Sequence, residues 1–266
     1  MMMELFNIYK LSFVVVSLSA LGLFFIGSHL IPRGQSVKLL TFSQFALLGH
    51  LIGSLFIHTD YHELLFLVSL TFYLIGDLIY EKRVKVKTSS LLVSLFIVCL
   101  SLSHLLVSYF PSLDSHMTVG VFGNIATNTL SENLFVIIIF TMFSLYYLVQ
   151  RKSFHRSTVN HTFLGFKQKH ILRDLFITTV VVTSLFKLGL IYSLGFLLLP
   201  YSILSKSAPS NNIFAIAGGC SVVFSANIGL GFSLIQSNIS TVPMQVVTLS
   251  LILLGFKAFF NLIRSN

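Results

Sequence analysis

Long apolar segments separated by short polar ones run through the whole sequence. Most are about 20 residues long, the length that a helix needs to cross the hydrocarbon core of a bilayer. The pattern predicts crossings at residues 11–31, 39–57, 64–80, 90–110, 133–150, 174–189, 191–205, 212–235 and 241–263. We therefore expect an all-α membrane protein, a polytopic bundle of eight or nine transmembrane helices, with residues 1–266 as a single transmembrane domain.

The segment 188–200 differs from the other apolar segments because two glycines, Gly189 and Gly195, interrupt it and Pro200 ends it. The apolar region around it, 175–204, is too long for one crossing and long enough for two short ones. One kinked helix is the alternative. Transporters place their translocation pathway in short, glycine-interrupted membrane helices. The pattern therefore predicts a transporter subunit.

The composition excludes a soluble protein. Only 9% of the residues are charged and the mean hydropathy is +0.90, whereas soluble domains carry about 25% charged residues. The net charge of +9 does not indicate a nucleic-acid partner, because the basic residues lie in short loops between apolar segments. Cys99 and Cys220 both fall within predicted crossings, which disfavours a disulfide framework.

The basic residues orient the bundle. With nine crossings, fourteen lysines and arginines of the loops and tail fall on one side, and Asp60, Glu63, Asp114 and Glu132 fall on the other. The positive-inside rule then predicts a cytoplasmic C-terminus. No glycine-lysine phosphate-binding motif occurs in the sequence, so a transport reaction driven by ATP needs an ATPase on another chain.

Four blocks of sequence together resemble a known family. They are 46–53 on the second crossing, 121–132 with its Phe-Gly-Asn-Ile run, 158–167 around Gly165, and 189–200 with the later Gly218-Gly219 and Phe232-Ser233. In their order and topological positions they resemble permease subunits of the zinc, manganese and iron ABC importers.

The resemblance implies a set of partners. We expect a homodimer, a cytoplasmic ATPase dimer that binds ATP and Mg²⁺, and an extracytoplasmic substrate-binding protein. The substrate would be a divalent metal ion, moved by alternating access across the bacterial inner membrane. This chain would hold no cofactor, catalyse no reaction and bind no nucleic acid.

The basic segment 151–173 is expected to couple this chain to the ATPase. Its short helical stretch supplies five candidate coupling residues, His161, Phe163, Leu164, Gly165 and Phe166. Exposed aromatic residues beside a glycine are typical of an anchor in a partner's groove. The alternative is an ordinary basic loop that only sets the topology.

The sequence departs from the family where metal is expected to bind. The family carries an Asp and, four residues later, a His on the second crossing, and our alignment places Leu40 and Gln44 there. Neither is a good ligand for a transition metal. The pathway candidates are Leu40, Gln44, His50 and Asn124. Because Gln44 and His50 give only neutral ligands, we expect no tight metal site within the crossings.

A metal site outside the crossings is also possible from the sequence. His58, Asp60 and His62 lie in the loop after the second crossing and have side chains that suit Zn²⁺. The alternative is a solvated polar loop. His116 and Asp114, in the next loop on that side, are further candidates.

Other polar residues lie within the crossings. For His50 a pathway role and a packing role are equally open, and for His29 and His104 we expect packing between helices. Asp77 and Lys187 lie near the ends of predicted crossings, so we expect both to extend to the interface.

Three functions compete at this point. The first is the permease subunit described above, and an importer of a non-metal substrate is a variant of it. The second is a non-transporting membrane scaffold derived from such a permease, which the residues at Leu40 and Gln44 favour. The third, a proton-translocating subunit, is disfavoured because charged residues at the centres of crossings are missing.

Overall fold

The computed structural model describes residues 2–56, 62–83, 89–123, 125, 128–164, 171–236 and 240–265. Within these residues the chain forms α-helices and one short 3-10 turn, Pro111–Leu113, and no strand. The helices are α1 (Met2–Leu30), α2 (Ser36–Phe56), α3 (His62–Arg83), α4 (Ser89–Tyr109), α5 (Asp114–Phe122), α6 (Leu130–Leu164), α7 (Ile171–Leu188), α8 (Leu190–Leu204), α9 (Asn211–Ile235) and α10 (Thr241–Ser265).

Seven of the described helices are long and apolar enough to cross a membrane: α1, α2, α3, α4, α6, α9 and α10. The region 171–204 contributes two shorter helices, α7 and α8, which meet at Gly189. The two short helices predicted from the sequence are therefore present, and the alternative of one kinked helix is wrong. The chain is a multi-pass helical membrane protein, as the apolar pattern predicted.

One predicted boundary is wrong. The fifth crossing was expected to end at residue 150 and a loop to follow, whereas α6 continues without interruption to Leu164. Its 35 residues make a helix of about 52 Å at 1.5 Å per residue. This exceeds a hydrocarbon core of about 30 Å, so the basic end of α6 projects beyond the bilayer as helix.

The helices pack in two groups that α7 joins. In one group α1 contacts α6, α8 and α9, and α10 contacts α8 and α9. In the other, α2 contacts α3 and α4. Because α7 contacts α2 and α3 on one side and α6 and α8 on the other, the end of α7 lies at the junction of the two groups.

The short helix α8 is held in the interior by α1. Tyr192 is fully buried, and its hydroxyl donates to the Val16 carbonyl at 2.8 Å and lies 2.9 Å from the Ser19 hydroxyl. Further along α1, Gly27 lies directly against the backbone carbonyl of Leu197, where any Cβ would collide. These contacts place the start of α8, and its junction with α7, inside the bundle.

Candidate functional site

A narrow cavity lies between α2, α3, α5, α7 and α8. Its volume is about 20 Å³, slightly more than one water molecule requires. The residues that line it are Ser43, Ala46, Leu47, His50, Ser69, Gly120, Val182, Leu185, Phe186 and Leu190. Most of the lining is apolar, so a polar or charged molecule in this cavity would depend on a few side chains.

His50 is the side chain in this lining that best suits a metal ion. Its ring centroid is 5.8 Å from that of His116 on α5 and 5.0 Å from that of Phe186 on α7. Imidazole nitrogens bind Zn²⁺ at about 2.0–2.1 Å, so two rings that share one ion have centroids within about 6.5 Å. The separation of His50 and His116 is therefore compatible with a shared ion.

Two helix ends meet beside the cavity. Gly123 ends α5 with φ +74°, and Gly189 joins α7 to α8 with φ +92°. Their backbones touch, because a Cβ built on Gly189 would lie 2.7 Å from the Gly123 Cα. Positive φ and close backbone approach both require glycine. The structure thus has a break in helical structure at the depth of the cavity.

An ion pair lies next to this break. The Lys187 ammonium is 2.7 Å from Glu132 Oε1, and the side chains are only 7% and 19% exposed. The same ammonium lies 4.7 Å from the centroid of the Phe186 ring that lines the cavity. The Lys187 side chain thus reaches the first turn of α6, where Glu132 pairs with it.

Asp77 also has a partner that the sequence did not reveal. Lys38 on α2 lies 2.5 Å from Asp77 and 3.2 Å from Glu81, both on α3. This second ion pair fastens α2 to α3.

Of the predicted pathway residues that the structure describes, only His50 lines the cavity. Gln44 is 1% exposed, and its Oε1 has no hydrogen-bond partner among the described residues. Leu40 is half-buried on the same helix. Neither lines the cavity, whereas His50 does, together with Ala46 one turn before it. Asn124 lies outside the described residues.

The predicted metal site of the loop after α2 cannot be placed. His58 and Asp60 lie outside the described residues, and His62 is the first residue of α3. Within the described ranges no three histidine, cysteine or acidic side chains come close enough to hold one ion. The structure instead brings His116 to His50, a pairing that sequence spacing alone does not indicate.

The predicted coupling residues fall at the end of α6. His161 lies in its last turn, Phe163 and Leu164 end the helix, and Gly165 and Phe166 lie outside the described residues. The preceding turns present an exposed face that is mainly basic, formed by Arg151, Lys152, His155, Arg156 and Val159.

The opposite face of this helix end is fixed to α1. Thr158 Oγ1 lies 2.9 Å from His29 Nδ1 and accepts from Arg33 at 3.0 Å, and His29 Nε2 lies 3.1 Å from the Tyr147 hydroxyl. His29 therefore packs between helices, as expected. His104, by contrast, lies on the exposed face of α4, so packing within this chain does not account for it. Burial lowers the pKa of Arg33 to about 10, and nearby Arg173 adds to the shift.

Comparison with known proteins assigns the chain to a family. A family model described as the ABC 3 transport family matches residues 6–260. Among solved structures the fold is similar to that in PsaBC from Streptococcus pneumoniae in complex with Fab, with a TM-score of 0.75 and 17% identity over 96% of this chain and 94% of that chain. No curated protein matches the chain. The family match confirms the resemblance inferred from the sequence, and the chain belongs to the ABC 3 transport family.

Proposed function

We propose that this chain is the membrane-spanning subunit of an ABC importer for a divalent metal ion. The observation that carries the proposal is His50, which lines a cavity beside the break between α7 and α8 and whose ring centroid lies 5.8 Å from that of His116. Irregular backbone at membrane depth is tolerated where it is buried or lines a cavity. Interrupted helices form the substrate sites of many transporters.

The divalent ion would pass between the two imidazoles. Neutral histidine is a good ligand for zinc and related transition metals. On α2, Ala46 and His50 lie one turn apart and both line the cavity. If the Asp and His that the resemblance implies occupy the positions facing the cavity, this chain keeps the His at His50 and has Ala46 in place of the Asp. This register replaces Leu40 and Gln44 as the pathway pair.

The partners follow from the family and from the shape of α6. We infer a pair of these subunits and two cytoplasmic ATPases that close on binding ATP and Mg²⁺. The projecting end of α6 would transmit that motion, because its buried face is fixed to α1 through Thr158 and His29. An extracytoplasmic binding protein would deliver the ion. The C-terminus would lie in the cytoplasm of a bacterium, on the side of the basic loops.

Uptake of metal by the assembled importer tests the proposal. Proteoliposomes holding the complex should accumulate Mn²⁺ or Zn²⁺ when supplied with ATP. His50→Ala and His116→Ala should each lower uptake by about tenfold or more, because loss of a ligand costs at least as much as loss of its supporting contacts. His104→Ala is the matched control, since His104 lies on an exposed face of α4, away from the cavity, and should transport normally.

Two results would contradict the proposal in different ways. Normal uptake by the His50 variant would place the pathway elsewhere in the bundle. No uptake of either metal by the unaltered complex, with the ATPase still bound, would favour the non-transporting scaffold or a different substrate.

A further inference from the structure

We propose that Arg33 binds the phosphate group of an anionic phospholipid where the bundle meets the bilayer surface, and that the buried Arg173 beside it strengthens this binding. The lipid would lie where the end of α1, the projecting end of α6 and the start of α7 meet. The inference goes beyond the proposed function, since a lipid ligand at this place is independent of the ion that the chain transports.

The two arginines contact the same stretch of α6. Arg33 Nη2 donates to the Thr158 hydroxyl at 3.0 Å. The guanidinium carbon of Arg173 lies 5.6 Å from the centroid of the Phe154 ring, one turn earlier on the helix. Arg173 is only 3% exposed and Arg33 is half-buried. Two positive charges therefore lie close together in a region that water reaches poorly.

The acidic residues at this end of the bundle do not balance the two arginines. In the sequence these acids are Asp77, Glu81 and Asp174. The first two pair with Lys38. Asp174 Oδ1 lies 3.5 Å from Arg173 Nε, but its side chain is 55% exposed, so water screens much of its charge. Burial and then the charge of Arg173 lower the pKa of Arg33, and Asp174 opposes that shift by less. A bound anion would therefore be stabilised here.

Arg33 also retains a donor for such an anion. Its Nε is buried and has no hydrogen-bond partner among the described residues, and a buried donor without a partner is costly. A guanidinium group presents its N–H donors as a planar fork that matches the oxygens of a phosphate group. Phosphate is therefore the anion that this site fits best.

The depth of the site matches that of lipid phosphates. On α6, Phe154 follows Glu132 by 22 residues, which is about 33 Å at 1.5 Å per residue. This is slightly more than the hydrocarbon thickness of about 30 Å. On α1, the apolar span ends at Leu30, three residues before Arg33. Both helices therefore place the arginines just beyond the hydrocarbon core.

Exposed apolar side chains lie next to this charged site. At the start of α7, Ile171 is 79% exposed, Leu172 80% and Leu175 50%. Acyl chains would cover such side chains, whereas free phosphate would contact only the charged groups. Basic pockets between membrane helices are known to bind lipid headgroups. The neighbouring apolar residues therefore favour a phospholipid over free phosphate.

Lipid titration of the purified full chain in a neutral detergent, read by native mass spectrometry, tests the site. The chain should bind phosphatidylglycerol about tenfold or more tightly than zwitterionic phosphatidylcholine, the effect of a hydrogen bond to a charged group. Arg33→Gln should remove most of this preference and Arg173→Gln should reduce it. Arg264→Gln is the matched control, because it removes the same charge from the exposed end of α10 and should keep the preference.

A measurement on the unaltered chain avoids any folding defect of the variants. In nanodiscs that contain phosphatidylglycerol, the backbone amides of residues 31–35 and 171–175 should exchange hydrogen more slowly than in nanodiscs of phosphatidylcholine alone. The amides at the end of α10 should exchange at the same rate in both. Inorganic phosphate added to the phosphatidylcholine nanodiscs should not reproduce the protection.

Several results would overturn the lipid site. Equal loss of the preference in Arg33→Gln and Arg264→Gln would show attraction to the whole basic surface rather than a site. Full protection by inorganic phosphate would make the ligand a free anion. No preference for phosphatidylglycerol, with release of a bound ATPase by Arg33→Gln, would assign the arginines to that partner. None of these measurements reads metal uptake, so their failure leaves the proposed function standing.

Discussion

Gly189 has two properties that a larger residue cannot reproduce. Its φ of +92° lies in the left-handed region, and a Cβ would meet the backbone of Gly123. Gly231, on α9, makes an informative contrast, because a Cβ there would have nothing within 4 Å. Both are glycines in the apolar part of the chain, and only the structure distinguishes their roles.

We expect Gly189→Ala to destabilise the purified subunit strongly. Its backbone, with φ +92° and ψ 160°, lies in a region that is essentially restricted to glycine and costs roughly 1–3 kcal/mol for a residue with a Cβ, and the collision with Gly123 adds to it. Gly231→Ala should be neutral or stabilise by up to about 1 kcal/mol, because alanine favours the helix. The melting temperature of each variant is measured by thermal unfolding followed by size-exclusion chromatography. Equal melting temperatures for the two variants would show that the break at Gly189 tolerates a side chain.

Charged residues show what reasoning from single residues leaves out. Lys187 and Asp77 both lie near the ends of apolar segments, and extension to the interface explained them at little cost. The structure pairs them with Glu132 and Lys38, which are 55 and 39 residues away in the sequence. Such partners depend on which helices are neighbours, and the apolar pattern of one segment does not contain that information.

At the scale of elements, the apolar pattern predicted the helices well and the end of α6 poorly. The segment after residue 150 was assigned to a loop because it is basic and polar. A helix that projects beyond the bilayer has the same composition, since its solvent-exposed face is polar too. What keeps these turns helical is packing on one face, where Phe154 and Ser157 are buried and Thr158 bonds to His29.

The projecting end of α6 carries the prediction about coupling. If this end docks into the ATPase, Phe163→Asp should reduce the amount of ATPase that co-purifies with the membrane subunit, because an apolar anchor is lost. Lys152→Asp is a matched control on the same helix, about 16 Å away at 1.5 Å per residue, and should retain the ATPase. A complex that survives Phe163→Asp and dissociates with Lys152→Asp would move the contact to the basic face.

For the whole molecule, the fold class followed from the sequence because bilayer thickness restricts the length of each apolar segment. The candidate site did not follow in the same way. His50 was recognised as polar within a crossing, but its neighbour His116 is 66 residues later and was assigned to a loop. Their approach depends on how α5 folds back against α2, which is a property of the packed bundle.

The number of crossings and the orientation of the chain decide which side of the membrane each site faces. If α7 and α8 form two crossings, the ends at Lys206 and Ser265 lie on the side of the basic loops. Gln236, between α9 and α10, then lies on the opposite side. If α7 and α8 together make a single crossing, every residue after 204 lies on the opposite side of the membrane from the side that two crossings would give it.

Labelling of single cysteines in the full chain distinguishes these arrangements. With Cys99 and Cys220 replaced by serine, Gln236→Cys should react with a membrane-impermeant maleimide added outside intact cells. Lys206→Cys and Ser265→Cys should react only after the membranes are opened, because the positive-inside rule places them in the cytoplasm. Reaction of Lys206→Cys from outside, with Gln236→Cys protected, would show that α7 and α8 make one crossing.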